Sequence, residues 1–354
     1  MLFGEYAVIE GATALLCATP QQAKANYFPL SQLASFADKD TQLAKLIDKS
    51  IEDHSGLPII YAVQTYQWGW STFSSSDEGL IHLGGKALPF VEEALNQTNA
   101  PAGLYFIDTR EFGINIDDVW VKMGIGSSGA ATASLLDLIR QIKEPSSDQL
   151  HDPYQRFLLT RNIHRKVQGG LGSGADVAIS TFGGLLRFSL SSNPLLNDPK
   201  LSPLTTHTKL PRTFGIWRHG KSTSTIQSLK QVQAWKQYNL SQYQNHMNAI
   251  AEAADHAYQQ LYLGQVSWVE CIEKGGKAIR DFGQAVNLPL WTKLHDEWSE
   301  QLAPFSAQIK PTGAGGDDLT LFAAPNEDVE QKCFELLKRY AEKKGQQLNI
   351  FRLL

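Results

Sequence analysis

The chain has 354 residues, enough for two domains, and its 42% apolar and 19% charged residues are ordinary for a globular protein. A formal net charge of −4 without a strongly basic region argues against a nucleic-acid partner, and no apolar run reaches the roughly 18 residues a membrane helix needs. Cys17, Cys271 and Cys333 lie far apart and without metal-type spacing, which suits reduced thiols in the cytoplasm. The apolar start carries Glu5 and Glu10 and lacks a basic front, so a signal peptide is not expected.

Taken in chain order, Leu2 and Phe3, a Gly4-Glu5 interruption and then Tyr6 to Ile9 predict a buried strand or hairpin. Gly11 turns the chain into the apolar run Ala14 to Ala18. Alternation at 58–69 and 102–107, and in GINIDDVWVKM after it, predicts a sheet, with a short helix at FVEEALNQT. AATASLLDLIRQIK has one apolar helical face, and a second helix over 153–168 starts at Pro153, a good first-turn residue. DVAISTFGGLLRFSL reads as helix or strand, then a Gly-Gly turn and a strand. Residues 190–213, rich in Pro, Ser and Asn, mark a domain boundary that divides the chain into 1–195 and 205–354. Beyond it come the strand TFGIW, helices at about 224–238, 241–263 and 265–286, and a strand–loop–strand in IKPTGAGGDDLTLFAA. A helix over 326–344 and a last strand in QLNIFRLL complete the chain.

Two glycine-rich stretches compete as phosphate loops. GIWRHGKS (215–222) fits G-x-x-x-x-G-K-[ST], the P-loop spacing. A P-loop needs a parallel sheet of βα units and a downstream strand ending in a magnesium-binding Asp. The segments after Lys221 are nearly all helical until residue 307, and Asp317 and Asp318 sit among glycine turns, so the context speaks against it. In KMGIGSSGAATAS (122–134), Gly124 and Gly126 allow close backbone approach to an anion, and Ser127, Ser128 and Gly129 are small enough to expose N–H groups. The helix that follows points about half a positive charge at whatever the loop holds, and either serine can reach a metal ion riding on phosphates. A tight turn for close helix–strand packing accounts for the same residues, and this stretch alone leaves both readings open.

LFGEYAVIEGATAL (2–15), MGIGSSGAA (123–131) and PTGAGGDDLTL (311–321) follow the order and approximate separation of three signatures: G-E-[HY]-x-V-x-x-G-x-x-A-L, G-[LI]-G-S-S-A-A and G-A-G-G-G-D. By these the chain is identified as a member of the GHMP small-molecule kinase superfamily. The resemblance implies an α+β fold of two domains, the N-terminal one like ribosomal protein S5 and the C-terminal one a ferredoxin-like α/β domain with added helices. It also implies ATP and Mg²⁺ as cofactors. Lys122, Gly124, Gly126, Ser127, Ser128 and Gly129 would hold the nucleotide, with Ser128 on the metal. The turn Gly313, Ala314, Gly315 and Gly316 would close over phosphates or substrate. Asp317 departs from the pattern by replacing a glycine, and a carboxylate there is unfavourable beside phosphates unless a cation screens it.

Within the superfamily, HRKVQGGLGSGADVAISTFGG (164–184) resembles the phosphomevalonate kinase pattern H-x-x-x-Q-G-x-x-G-S-G-x-D-V-A. Gly172 stands where mevalonate kinases usually carry Pro, and Lys122 also fits the phosphomevalonate form. FGIWRHGKSTST resembles a segment bordering that substrate, so Lys221, Ser224 and Thr225, with Arg218 or His219, would hold an acceptor phosphate in a donor-rich cationic pocket. The implied reaction is ATP-dependent phosphorylation of 5-phosphomevalonate to 5-diphosphomevalonate in the mevalonate route to isoprenoids. Mevalonate kinase, diphosphomevalonate decarboxylase and a catalytically weakened relative are the alternatives. The resemblance makes Asp176 the group that accepts or orients the acceptor proton, although an Asp there can also cap a helix. Ser173 and Glu5 would border the substrate, Glu5 otherwise being a surface or strand-end carboxylate, and His164 and Gln168 would support the substrate loop. The family's Gly-Lys pair would fall just ahead of Met1. Without it, Lys122, Lys166 or Arg187 would have to supply the charge. A small-molecule partner and a monomer or homodimer are expected, with neither nucleic acid nor membrane.

Overall fold

The computed structural model describes residues 1–53, 57–67, 69–116, 119–143, 150–191, 198–204, 210–218, 225–264 and 267–353. In chain order its strands are β1 (Ala14–Cys17), β2 (Lys24–Pro29), β3 (Tyr61–Thr65), β4 (Gly69–Ser76), β5 (Gly79–Gly85), β6 (Gly103–Asp108) and β7 (Gly113–Ile116). They continue as β8 (Val119–Lys122), β9 (Leu185–Leu190), β10 (Pro199–Pro203), β11 (Phe214–Arg218), β12 (Gln308–Pro311), β13 (Thr320–Ala323) and β14 (Leu348–Arg352). The helices are α1 (Leu33–Ala37), α2 (Thr41–Asp53), α3 (Pro89–Thr98), α4 (Ser127–Ile142), α5 (Pro153–Val167) and α6 (Ala175–Phe182). Then come α7 (Thr225–Tyr238), α8 (Leu240–Leu263), α9 (Trp268–Val286), α10 (Lys293–Leu302) and α11 (Glu327–Lys343). Two compact units result, the first Met1–Pro20, Val121–Ile125 and Leu171–Leu354, the second Gln21–Trp120 and Gly126–Gly170.

In the first unit, β9 is flanked antiparallel by β1 and β10. A second, antiparallel sheet has the order β12-β13-β11-β14. With α7 to α10 after β11 and α11 after β13, this is a βαββαβ unit of ferredoxin-like order with added helices. Period-2 alternation decides which side each strand buries. Phe214, Ile216, Ile309 and Phe322 pack against Leu294, Trp298 and Leu302 of α10 and Cys333 and Leu337 of α11. Each such fully buried side chain contributes roughly 1.5–3 kcal/mol. Helix α9 lies close on β12 through Gly275 and Gly276. A Cβ on Gly275 would stand 2.8 Å from the Phe3 ring and 3.0 Å from the Lys310 stem, and one on Gly276 would stand 3.0 Å from the Ile309 carbonyl oxygen. Interior glycines cost a helix about 1 kcal/mol each relative to alanine, which that close packing offsets.

In the second unit the sheet runs β2-β6-β3-β4-β5, with β3 and β6 parallel. Tyr61, Val63, Tyr105 and Ile107 share a core with Leu95 of α3, Leu135, Leu136 and Ile139 of α4 and Ile163 of α5. Ala62 and Leu104 face the other way, toward Leu33, Leu43 and Leu46 of α1 and α2. The α5 start is capped as its sequence suggests: the Asp152 carboxylate accepts from the Gln155 N–H at 2.7 Å and Pro153 follows.

Several expectations need correction. Leu2 and Phe3 do pair with Leu15, but Tyr6–Ile9 is no strand. Gly4 at φ 95° and Gly11 at φ 89° bend the chain, and Ala7–Glu10 closes as a 3-10 turn. The Pro- and Ser-rich stretch after 190 contains β10, an edge strand where proline removes no needed donor. The pairing of β1 with β9 stays within the expected 1–195 segment. All three thiols are unpaired and buried, and burial pushes them up to about 12 for Cys17 and about 11 for Cys271 and Cys333. No helix among the described residues is long and apolar enough to cross a membrane.

Candidate active site

Gly124 (φ 72°) and Gly126 (φ 85°) both take the left-handed backbone that glycine permits, and Gly126 is the residue from which α4 begins. The N–H groups of its first turn have no intrahelical partners, which makes this loop a ready anion site. Gly124 also meets the third glycine turn. A Cβ there would stand 2.4 Å from Asp318 Cγ, and one on Gly313 would approach the Gly124 carbonyl oxygen at 4.0 Å. Gly129 is buried within α4, Ser127 and Ser128 are half-buried, and Lys122 at the end of β8 is exposed.

The third turn is built from Gly313 (φ 66°), Gly315 (φ 79°) and Gly316 (φ 74°). Gly315 N–H donates to the Thr312 carbonyl at 3.2 Å and Gly316 N–H to the Leu290 carbonyl at 3.0 Å. Of Gly313, Ala314, Gly315 and Gly316, Gly313 alone is exposed.

Glu5, expected to border the substrate or to sit at the surface, is buried. It forms an ion pair with Lys310, and both side chains are at most 2% exposed. Lys310 also donates to the Pro311 carbonyl at 3.0 Å and lies over the Phe3 ring at 5.4 Å. Burial pushes the ammonium below its usual range, and the Glu5 charge opposes that shift. Lys310, which the sequence reading missed, thus ties the first motif to the strand entering the third. Of the cations expected to replace the family lysine, Lys166 is paired with Glu93 at 2.7 Å, and Arg187 stacks over Tyr258 at 4.4 Å. Lys122 is held somewhat below its usual range by desolvation despite its exposure.

Within the second unit, the Ser128 hydroxyl lies 3.0 Å from His164 Nε2 and the Gln168 amide nitrogen lies 3.3 Å from the same atom. An amide nitrogen only donates, so Nε2 accepts both bonds and the Ser128 proton points to the imidazole. The Ser128 lone pairs remain for a cation. His164 is buried and stacked on Phe90, with ring centroids 5.4 Å apart. His164 and Gln168, expected to support the substrate loop, orient Ser128.

Asp176 lies half-buried in the first turn of α6, in the same unit as Glu5, Gly124 and the third turn, and within electrostatic range of Met1. It does not cap the helix: Gly174 (φ 80°) holds that position, and the Ser173 hydroxyl accepts from Ala175 N–H at 3.2 Å. Lys221 and Ser224, with His219, fall outside the described residues, as does the Thr225 side chain, although Thr225 begins α7.

Asp317, the departure from the glycine pattern, does find a screening cation. Arg218 pairs with it at 3.2 Å, and Thr292 Oγ1 donates to its other oxygen at 3.3 Å. Arg218, expected to hold an acceptor phosphate, is therefore already partly neutralised. Beside them, His295 Nδ1 accepts from the Thr292 N–H at 3.0 Å, which places its proton on Nε2, 3.0 Å from Thr320 Oγ1. Burial lowers His295 to about 4, with Arg218 acting the same way and Asp317 and Asp296 opposing. A depressed histidine means that the unfolded chain takes up the proton first. Stability is therefore expected to fall as pH drops from about 6.5 to about 4, by about 3 kcal/mol, and to level off below that. Urea titrations at pH 7, 5.5 and 4 check this, and His295→Asn, which keeps an acceptor for Thr292, should flatten the slope. An equal acid loss in both proteins assigns the effect to another group.

Comparisons with known proteins bear on the family and the fold. Residues 90–184 match the GHMP kinases N terminal domain. The phosphomevalonate kinase ERG8 of Gibberella zeae is 23% identical over 260 residues, 65% of this chain, and the match spans 59% of that enzyme's length. In structure, the chain resembles the Lin0012 protein of Listeria innocua (TM-score 0.73, 18% identity, 99% of this chain and 96% of that one). It also resembles the Streptococcus pneumoniae phosphomevalonate kinase solved with phosphomevalonate and AMPPNP (TM-score 0.69, 16% identity, 99% and 97%). The L. major mevalonate kinase solved with R-mevalonate superposes less well (TM-score 0.60, 14% identity, 99% and 91%). The chain takes the fold of these kinases, and its residues 90–184 are similar to the GHMP kinases N terminal domain.

Proposed function

We propose that this chain is an ATP-dependent phosphotransferase that converts 5-phosphomevalonate to 5-diphosphomevalonate in the cytoplasm, with Mg²⁺ accompanying the nucleotide. The observation that carries this reading is the meeting of two glycine motifs distant in sequence: Gly124, two residues ahead of the Gly126 cap of α4, lies against Asp318 and Gly313. Phosphoryl transfer asks a protein for positioning and charge stabilisation rather than covalent chemistry, and backbone donors at a helix start supply both. Gly124 to Gly129 hold the nucleotide phosphates. The hydroxyl of Ser128, its proton directed at His164, offers an oxygen of the hard kind Mg²⁺ takes. Magnesium, when bound, neutralises charge on the phosphates. Asp176 orients the acceptor oxygen and receives its proton, with Ser173 and the exposed Gly313 amide beside the acceptor.

One observation favours a second reading. Pairing of Arg218 with Asp317 removes a cation from the expected acceptor-phosphate pocket, which suits mevalonate itself. The test is ADP release measured side by side with mevalonate and 5-phosphomevalonate. Turnover of 5-phosphomevalonate is expected, and turnover of mevalonate alone would move the acceptor assignment. Carbon dioxide released from 5-diphosphomevalonate indicates the decarboxylase, and no ADP release with any acceptor indicates a weakened relative.

A further inference from the structure

Tyr6 is not glycine, yet its φ is 62° and its ψ −48°. With the Ala7 N–H donating to the Glu5 carbonyl at 2.7 Å, it forms a γ-turn of the rare, strained hand. Such a backbone persists only where its surroundings over-determine it, and strain of this kind gathers at working sites. Here the restraints are all visible. On one side Glu5 is locked by Lys310. The Tyr6 ring packs edge-on against Phe282 at 5.3 Å, and its hydroxyl donates to the Ala314 carbonyl at 2.9 Å. Ser228 of α7, the helix that follows the expected acceptor segment, is buried and contributes to the electrostatics of the same phenol.

The Ala314 carbonyl belongs to the third glycine turn, in which the Gly315 and Gly316 N–H groups are already bonded while Gly313 is exposed. Gly313 and Gly315 both hold positive φ without a side chain to brake them. Fixing that carbonyl fixes the peptide plane after it, and with it the turn whose exposed member, Gly313, approaches Gly124. We propose that Tyr6 is a positioning residue for phosphoryl transfer: its strained γ-turn holds a hydroxyl under Ala314 and so sets the third glycine turn against the phosphate loop. This rests on the kinase reading above.

The experiment compares Tyr6→Phe with Tyr61→Phe. Tyr61 loses a bond of the same class, a buried hydroxyl donating to the Ala100 carbonyl at 2.8 Å, but in the second unit. Tyr6→Phe is expected to lower kcat about tenfold, as small misplacements of reacting groups do, with ATP KM within about twofold; Tyr61→Phe leaves both values near the parent's. Hydrogen exchange of the amides at 313–316 should quicken about tenfold in Tyr6→Phe alone. Parental kcat and exchange in Tyr6→Phe, or equal losses in Tyr61→Phe, would overturn the assignment. If the parent protein releases no ADP with any acceptor, the kinase reading fails, while the exchange comparison still decides whether Tyr6 holds the turn.

Discussion

Asp176→Asn is expected to lower turnover by about 10²–10⁴-fold, the usual contribution of a positioned proton acceptor, while leaving ATP affinity within about twofold. The substitution keeps the size of the side chain and removes its charge and basicity. Gly174, not Asp176, caps α6, so no capping bond is lost. What disappears from the helix is a favourable charge near its positive end, worth about 0.3–1 kcal/mol. The substitution leaves the sequence of the proposed nucleotide loop at 124–129 as it is. Steady-state ADP release and calorimetric titration with ATP separate the two effects. Turnover equal to the parent's would remove Asp176 from the chemistry, and loss of ATP binding along with turnover would show that the residue shapes the nucleotide site instead.

The largest loss of stability is expected from Lys310→Met, about 3–5 kcal/mol, the range for breaking a buried ion pair from one side. Methionine fills most of the lysine volume and still fits beside Gly275, so packing is not the cause. The cost is electrostatic: Glu5 stays buried and loses the partner of one carboxylate oxygen. The other, Oε2, already has no partner among the described residues. Against a usual total of about 5–15 kcal/mol, that is a large share. The double variant Lys310→Met with Glu5→Gln should recover much of the loss, since a neutral amide tolerates the site better than an unpaired carboxylate. Urea midpoints of the parent, both single variants and the double variant close the cycle. Loss in the double variant equal to the sum of the singles would mean that the pair is not coupled.

Much of the fold was legible because local patterns carried it. The glycine loop before AATASLLDLIRQIK, the Pro153 start and the strand–turn–strand around GAGGDD all became the elements their residues suggest. Tyr6–Ile9 misled because four residues of mixed apolar character fit a strand as well as a 3-10 turn, and the positive φ of Tyr6 leaves no mark in composition. Helix α10 was readable in Leu294, Trp298 and Leu302, spaced four apart, but its polar face hid the stripe. Long-range pairing was the real barrier. Glu5 and Lys310 are 305 positions apart, and a lysine in a strand is ordinarily read as pointing to water. The one hint was Gly275-Gly276 inside an otherwise amphipathic helix, a sign that something approaches its backbone closely. Arg218 and Asp317 were singled out separately, as phosphate ligand and as anomaly, and only the structure shows that each answers the other.

The burial of Cys17, Cys271 and Cys333 has a practical corollary. Thiolate is the reactive form, and with all three groups held up to about 11–12 the native protein exposes almost none of it at neutral pH. Peroxide and maleimides should pass the folded chain by. One cysteine placed on an exposed helix would then accept a fluorophore at a single address, without first stripping the native sulfur atoms from the core.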